Sequence, residues 1–321
     1  MHKRSLFEYG RAINTNWSEQ ILNHITLLDG GMGQELLRRS SRKITSLWSA
    51  DIMLNEPSLV RDLHRDFIES GSRVITLNTY TGTPQRLARE NVLDQLERIH
   101  QSAIDVAVEA IELSERNDVA IAGCLPPLVA SYRPDVSLSY NDSLASYRRL
   151  VELQAPASDV FLCETMASIN EARAACTAAT ESGKPVWVAL TVSDYHKGQL
   201  RSGEPLAEVL CVLKSLGAQA ILLNCSHPEA INACWPQLQG MSQQIGAYAN
   251  GFVSVGPLLP GGTVEQLEVR QDLSPKQYAE YAMSWARNGA SIIGGCCEIG
   301  PAHIKAVHDK LCNEGFTYTH E

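Results

Sequence analysis

Eight short apolar runs recur along the chain: "ITLLDGG" (25–31), "RVITLNTY" (73–80), "VAIAGCLP" (119–126), "VFLCET" (160–165), "PVWVALTV" (185–192), "AILLNCS" (220–226), "IGAYANG" (245–251) and "ASIIGGCC" (290–297). They are nearly continuous rather than alternating, the pattern of strands covered on both faces. Between them the apolar period lengthens to that of a helix. Residues 57–70 place Val60, Leu63 and Phe67 on one stripe, with Pro57 suited to a first turn. Residues 92–113 repeat the stripe with Leu96, Ile99, Ala103, Ala107 and Ile111. Residues 275–288 open with Ser274 as N-cap and Pro275 at the first helical position.

Gly71, Gly183, Gly217 and Gly289 each close a helical pattern and lead within a few residues into a strand: "GSRVI", "GKPVW", "GAQAI", "GASII". A left-handed glycine just past a helix is the usual way to turn from helix to strand. Eight strands alternating with helices predict a parallel (β/α)₈ barrel of the TIM type in a single α/β domain over residues 25–321. Residues 1–24 then form an N-terminal arm or capping segment. A doubly wound open sheet is the competing architecture. The first strand, however, runs into "DGGMGQE" rather than a dinucleotide-binding GxGxxG.

Composition narrows the function classes. A formal charge of -9 argues against nucleic acid as a partner, which would call for a basic face. The opening "MHKRSLFEYGRAINTNW" has basic residues but no apolar stretch of a secretory signal behind them. No apolar run reaches membrane-spanning length, so no membrane partner is expected. Nine cysteines without an export signal point to a reducing, cytoplasmic setting, where thiols are core residues, metal ligands or nucleophiles rather than disulfides. Cys176, Cys211, Cys234 and Cys312 fall in helical stretches and read as small core residues. Cys124 and Cys163 lie on strands and admit either role.

Cys225, Cys296 and Cys297 remain. In a parallel barrel, chemistry gathers at the C-terminal ends of the strands. Those ends carry Asp29, Gly30, Gly31, Asn78, Glu164, Asn224, Cys225, Asn250, Cys296 and Cys297, a polar list behind apolar strands. Two adjacent residues cannot both face inward while pleating continues, so Cys296 and Cys297 converge only where the strand stops, with Gly294 and Gly295 supplying backbone freedom. Strands six and eight contribute to the same interior layers, which lets the three thiols approach one ion with a fourth position open. Packing and a redox pair are the other readings of the vicinal thiols. His227, two residues past Cys225, is the nearest imidazole and a further candidate ligand.

The segments "LLDGGMGQELLRR", "ITLNTY", "GCLPPL", "FLCETM", "LLNCS", "AYANG" and "GGCCEIGPAHI" together resemble the homocysteine S-methyltransferases, over residues 25 to 312. The resemblance implies a zinc-dependent barrel that moves a methyl group to homocysteine, giving methionine. It implies Zn²⁺ on Cys225, Cys296 and Cys297, with the acceptor thiolate in the open position. Three thiolates already outweigh the ion's charge, so an incoming sulfur stays electron-rich and nucleophilic.

By the same likeness Glu164 meets the ammonium of homocysteine and the N–H groups of Gly30 and Gly31 meet its carboxylate. Asp29 contacts an ammonium or the cationic donor, and Asn78, Asn224 and Asn250 orient ligands or their supports. Trp48 and Tyr80 are candidates to face a sulfonium methyl. Betaine-using relatives carry tyrosine after the strand-four glutamate, whereas this chain has Thr165. S-methylmethionine-using relatives read Arg-Thr-Thr after the paired cysteines, whereas this chain has Glu298, Ile299 and Gly300. Folate-dependent synthases need additional folate and cobalamin domains, for which 321 residues leave no room. The expected partners are therefore small molecules, homocysteine and a methyl-sulfonium donor, S-methylmethionine or S-adenosylmethionine. The oligomeric state is not set by these features. Two alternatives stand beside this: a zinc methyltransferase for another small thiol or selenol, and a non-catalytic zinc or thiol-redox sensor.

Overall fold

The computed structural model describes residues 23–42, 47, 49–262 and 266–318; the expectations for residues 1–22 and for Trp48 fall outside them. The fold is α/β. Strands β1 (His24–Leu27), β2 (Val74–Thr76), β3 (Ala120–Leu125), β4 (Val160–Met166), β5 (Val186–Leu190), β6 (Ala220–Asn224), β7 (Gln244–Tyr248), β8 (Ile292–Ile293) and β9 (Thr317–Tyr318) make one sheet in the order β2-β3-β4-β5-β6-β7-β8-β1-β9. Every pairing between neighbours is parallel. The sheet curls until β1 meets β2. Leu28 bridges Val74, the Arg73 N–H donates to the Leu27 carbonyl at 2.7 Å, and the Asp29 N–H donates to the Val74 carbonyl at 3.0 Å. β9, which the apolar runs do not announce, adds to the start of β1 through His24 and Thr317.

The helices follow the strands: α1 (Met32–Arg39), α2 (Ser49–Asn55), α3 (Pro57–Glu69), α4 (Pro84–Arg89), α5 (Leu96–Leu113), α6 (Tyr140–Gln154), α7 (Ile169–Thr180), α8 (Leu206–Ser215), α9 (Pro228–Cys234), α10 (Pro275–Arg287) and α11 (Pro301–Asn313). α3 begins on Pro57 and buries Val60, Leu63 and Phe67 completely, as its stripe predicts. α10 is capped by Ser274, whose Oγ accepts from the Gln277 N–H at 3.3 Å. α5 starts at Leu96, later than the stripe predicts, because a 3₁₀ turn occupies Leu93–Gln95. Gly71, Gly183, Gly217 and Gly289 all have positive φ, between 73° and 113°. At Gly71 a Cβ would also strike the His308 ring, 2.3 Å away.

The strands separate two apolar layers by simple alternation. Val160, Leu162, Trp187, Ala189, Ala220, Leu222, Tyr248 and Ile292 form a small inner cluster. Phe161, Cys163, Val186, Val188, Ile221, Leu223, Ala247 and Ile293 join the larger core between sheet and helices. Cys176 and Cys234 are buried as expected, but Cys211 and Cys312 are exposed. On α8 the buried stripe is Leu206, Val209, Leu210 and Leu213, and Cys211 lies off it.

Candidate metal and substrate site

The inner register, followed past the strand ends, builds a cavity of about 110 Å³. Two residues beyond inward Leu162 is Glu164, and two beyond inward Thr76 is Asn78; both line the cavity, with Asp29, Gly30, Gly31, Tyr80, Cys225, Cys296 and Cys297. Cys225 breaks this register. Asn224 takes the last strand position, and Cys225 adopts a φ of +48°, which turns its side chain toward the cavity. Its backbone is held by Tyr248, whose carbonyl accepts the Cys225 N–H at 3.1 Å, and by Arg201, which donates to the Cys225 carbonyl at 3.2 Å. Strand β8 ends at Ile293; Gly294 and Cys296 then donate to the Ala247 and Ala249 carbonyls, carrying the strand's direction up to the thiols.

The three sulfur atoms lie within 4.8 Å of one another. Cys225 Sγ is 3.8 Å from Cys297 Sγ and 2.7 Å from Cys296 Sγ. The Tyr132 hydroxyl stands 2.8 Å from the same Cys225 sulfur. Burial alone would push the Cys225 thiol up. The hydrogen bonds of Cys296, Cys297 and Tyr132, with the nearby Arg201 charge, outweigh it and hold Cys225 well below the usual thiol range. Cys296 and Cys297 move the opposite way, chiefly through their hydrogen bonds to Cys225. Of the three sulfur atoms gathered here, Cys225 is the one whose ionised form the surroundings favour.

Two carboxyl groups face the thiols. Asp29 accepts from the Thr76 N–H at 2.7 Å and the Thr76 hydroxyl at 3.1 Å, yet burial raises it to about 7. Glu164 accepts from the Cys124 thiol at 3.0 Å and is raised to about 8, first by burial and then by repulsion from Asp29 and Cys225. Thr165 behind it has φ +61°, within the irregular stretch of β4 where pairing with β5 shifts register. Tyr132 and Glu298 also have positive φ, +62° and +67°. Each such non-glycine residue costs on the order of 1 kcal/mol. Of the seven such residues described, Tyr132 and Cys225 line the cavity, and Thr165 and Glu298 directly follow residues that do.

Several expected residues are placed differently. Gly31 lines the cavity, but its N–H is already given to the Ile299 carbonyl at 2.9 Å and is not available to a carboxylate. Its glycine identity is required by close packing instead, since a Cβ would meet the Cys296 carbonyl at 2.6 Å. Asn224 and Asn250 are fully buried and do not line the cavity. Asn224 grips Thr165, accepting from its N–H at 3.1 Å and donating to its hydroxyl at 3.0 Å, and so supports the Glu164 turn. His227 is not part of the thiol cluster; its N–H donates to Asp194 at 2.9 Å at the start of α9.

Among the cavity residues that sequence reasoning missed are Tyr132, Tyr248, Ser131 and Gln34, and it also missed the Cys124 contact. Tyr248 carried a signal, because it shares a face with Gly246 and Asn250 by alternation. Its hydroxyl is buried with no partner among the described residues. Tyr132 and Ser131 come from the loop after β3, where no period marks them.

A family model for homocysteine S-methyltransferases matches residues 26–311. The chain belongs to the homocysteine S-methyltransferase family. Homocysteine S-methyltransferase of Escherichia coli is 28% identical over 88% of this chain and 94% of its own length. Homocysteine S-methyltransferase 4 of Zea mays is 28% identical over 88% of this chain and 87% of that one. The metallated form of the E. coli homocysteine methyltransferase MmuM superposes with a TM-score of 0.74 at 25% identity, covering 89% of this chain and 96% of that chain. Membership identifies the enzyme class, a methyltransferase with homocysteine as acceptor, and makes the thiol cluster the place to test for a metal.

The donor set fits zinc. Sulfur ligands about 2.3 Å from a tetrahedral ion stand about 3.8 Å from one another. Cys225 and Cys297 already have that separation. Cys225 and Cys296 stand closer, so an ion between them has only to spread that pair.

Proposed function

We propose that this homocysteine S-methyltransferase is zinc-dependent and takes its methyl group from a sulfonium amino acid, S-methylmethionine or S-adenosylmethionine. Cys225, Cys296 and Cys297 would hold the ion. Bound there, zinc would lower the pKa of the acceptor thiol and keep its sulfur as a thiolate. The curled sheet is read as a (β/α)₈ barrel sealed at the Leu28–Val74 bridge, with the site at its C-terminal rim.

The chain's own residues do the positioning. Asp29, raised by burial, and Glu164, raised by burial and by the charges of Asp29 and Cys225, form an acidic pair that an ammonium group would relieve. The first turn of α1, where Met32, Gly33 and Gln34 line the cavity, offers helix N–H groups to the acceptor carboxylate in place of the committed Gly31 N–H. With both ends of homocysteine held, its sulfur reaches the thiol cluster. The sulfur attacks the donor's methyl carbon in line as the methyl–sulfonium bond breaks, and the electron pair goes to the leaving sulfide. The acceptor's thiol proton is lost to solvent. Positioning supplies the rate here, since an aligned displacement needs no general acid. Nine free cysteines suit a reducing compartment, and the cytoplasm is the proposed location. No described helix is long and apolar enough to cross a membrane.

The observation that carries this reading is the convergence of three thiols and two raised carboxyls on one cavity. The experiment is a donor panel with homocysteine on zinc-replete protein, following methionine. Turnover with a sulfonium amino acid is expected. Turnover only with a non-sulfonium methyl donor would refute it.

A further inference from the structure

A cation with no carboxylate partner among the described residues lies just behind the cavity wall. Arg86, on the short helix α4, is 8% exposed, and among the described residues it forms no ion pair with a carboxylate. Its guanidinium donates to the Pro127 carbonyl at 3.0 Å and the Ser131 hydroxyl at 3.3 Å, and lies 5.4 Å from the centre of the Tyr80 ring. Its Nε is buried with no partner among the described residues. Tyr80 and Ser131 close the arrangement, their hydroxyls 2.8 Å apart, and both line the cavity.

A buried guanidinium without a carboxylate partner is costly unless something negative answers it. The acidic wall of the cavity, Asp29 and Glu164, suits an ammonium. The Tyr80–Ser131 wall has the opposite character: a hydrogen-bonded hydroxyl pair with one proton left to donate, backed by a fixed positive charge. Ser131 is followed directly by Tyr132, whose hydroxyl reaches the Cys225 sulfur. One loop therefore presents both this polar pair and the edge of the sulfur centre. That loop is firmly held, since Thr83 donates to the Leu128 carbonyl at 2.7 Å and Arg86 spans from Pro127 to Ser131.

We infer that Arg86, acting through the hydroxyls of Ser131 and Tyr80, forms a carboxylate subsite for the methyl donor, separate from the acceptor's place at α1. This rests on the proposed sulfonium reading and deepens it by naming the residues that select for the donor's carboxylate. Arg86 is a positioning residue here, because the hydroxyls make the contact.

The test is calorimetric binding to zinc-loaded protein of S-methylmethionine and of its decarboxylated analogue, 3-aminopropyl-dimethylsulfonium. Wild type should bind S-methylmethionine at least tenfold more tightly. Arg86→Gln should reduce that preference to less than threefold while leaving homocysteine affinity unchanged, and Arg86→Lys, which keeps the charge, should restore most of it. A merely structural role, in which Arg86 only pins the loop, would weaken both sulfonium ligands alike. Equal weakening, an unchanged preference in Arg86→Gln, or no preference in wild type would each overturn the inference. Failure of the broader reading looks different: binding would show the preference, yet no methyl would reach homocysteine.

Discussion

The Cys124 thiol donates a hydrogen bond to Glu164 Oε1 at 3.0 Å, joining β3 to β4 directly above the inner apolar cluster. Cys124 occupies the inward register of β3, two residues past Ala122, and its own N–H and carbonyl are clamped by the Gln154 amide at 2.8 and 3.0 Å. The thiol is therefore fixed, and it fixes the carboxyl in turn. Cys124→Ala should raise the homocysteine KM roughly 5-fold, the loss of about 1 kcal/mol from one hydrogen bond, with kcat little changed. Cys124→Ser keeps a donor and should stay near wild type. Steady-state kinetics on the three proteins checks this.

Glu164 is raised to about 8 by burial, with Asp29 and Cys225 adding to the rise and Cys124 opposing it. A raised carboxyl contributes stability at low pH that is lost as pH rises from about 4.5 through about 8. Ammonium binding needs the ionised form, so at pH 7 the wild type must release a proton from Glu164 when homocysteine binds. Calorimetry in buffers of different ionisation enthalpy should count more protons released for wild type than for Glu164→Gln at pH 7. At about pH 9 the two counts should agree, because Glu164 is then already ionised.

Tyr132 reaches the Cys225 sulfur from a strained position, and Arg201 lies 5.0 Å from the centre of its ring. Arg201 is itself paired to Asp194 at 2.9 Å. Removing the hydroxyl in Tyr132→Phe takes away a hydrogen bond that favours the Cys225 thiolate. Zinc affinity, measured by chelator competition, should fall roughly tenfold, in line with other groups that orient metal ligands. The fold should be unaffected.

His64 on α3 is fully buried, with both ring nitrogens unpartnered among the described residues, and burial lowers it to about 4. A lowered histidine contributes stability above its unfolded value near 6.5 that is lost as pH falls through about 4. His100, also lowered to about 4, keeps one hydrogen bond, from its Nε2 to the Gly82 carbonyl at 2.9 Å. His64→Leu should raise stability by about 1–2 kcal/mol at pH 7 and flatten the loss between pH 6.5 and 4.5 in urea titrations.

Much of this is legible in the sequence. Near-continuous apolar runs mark the eight strands because both faces of each are covered, and Gly71, Gly183, Gly217 and Gly289 mark the helix-to-strand turns because positive φ there favours glycine. Asp29, Asn78, Glu164 and the three cysteines stand out as polar residues ending apolar runs, and all six line one cavity. What stayed hidden depends on tertiary contact. Tyr132 and Ser131 ride on an aperiodic loop. Arg201 comes from the segment between β5 and α8, which folds back through the Val192–Leu200 bridge. The Gly31 N–H is spent on the Ile299 carbonyl, a partner distant in sequence that no local pattern marks. Cys211 and Cys312 look like core residues in a helical stretch, and only the register of the helix on the sheet turns them outward.

X-ray absorption at the zinc edge, on protein purified with its metal, tests the central claim most directly. One zinc per chain in a sulfur-rich shell, lost in Cys225→Ala and gaining a further sulfur when homocysteine is added, is the predicted result. A fully active protein without zinc, or a metal whose shell holds no cysteine sulfur, would contradict it.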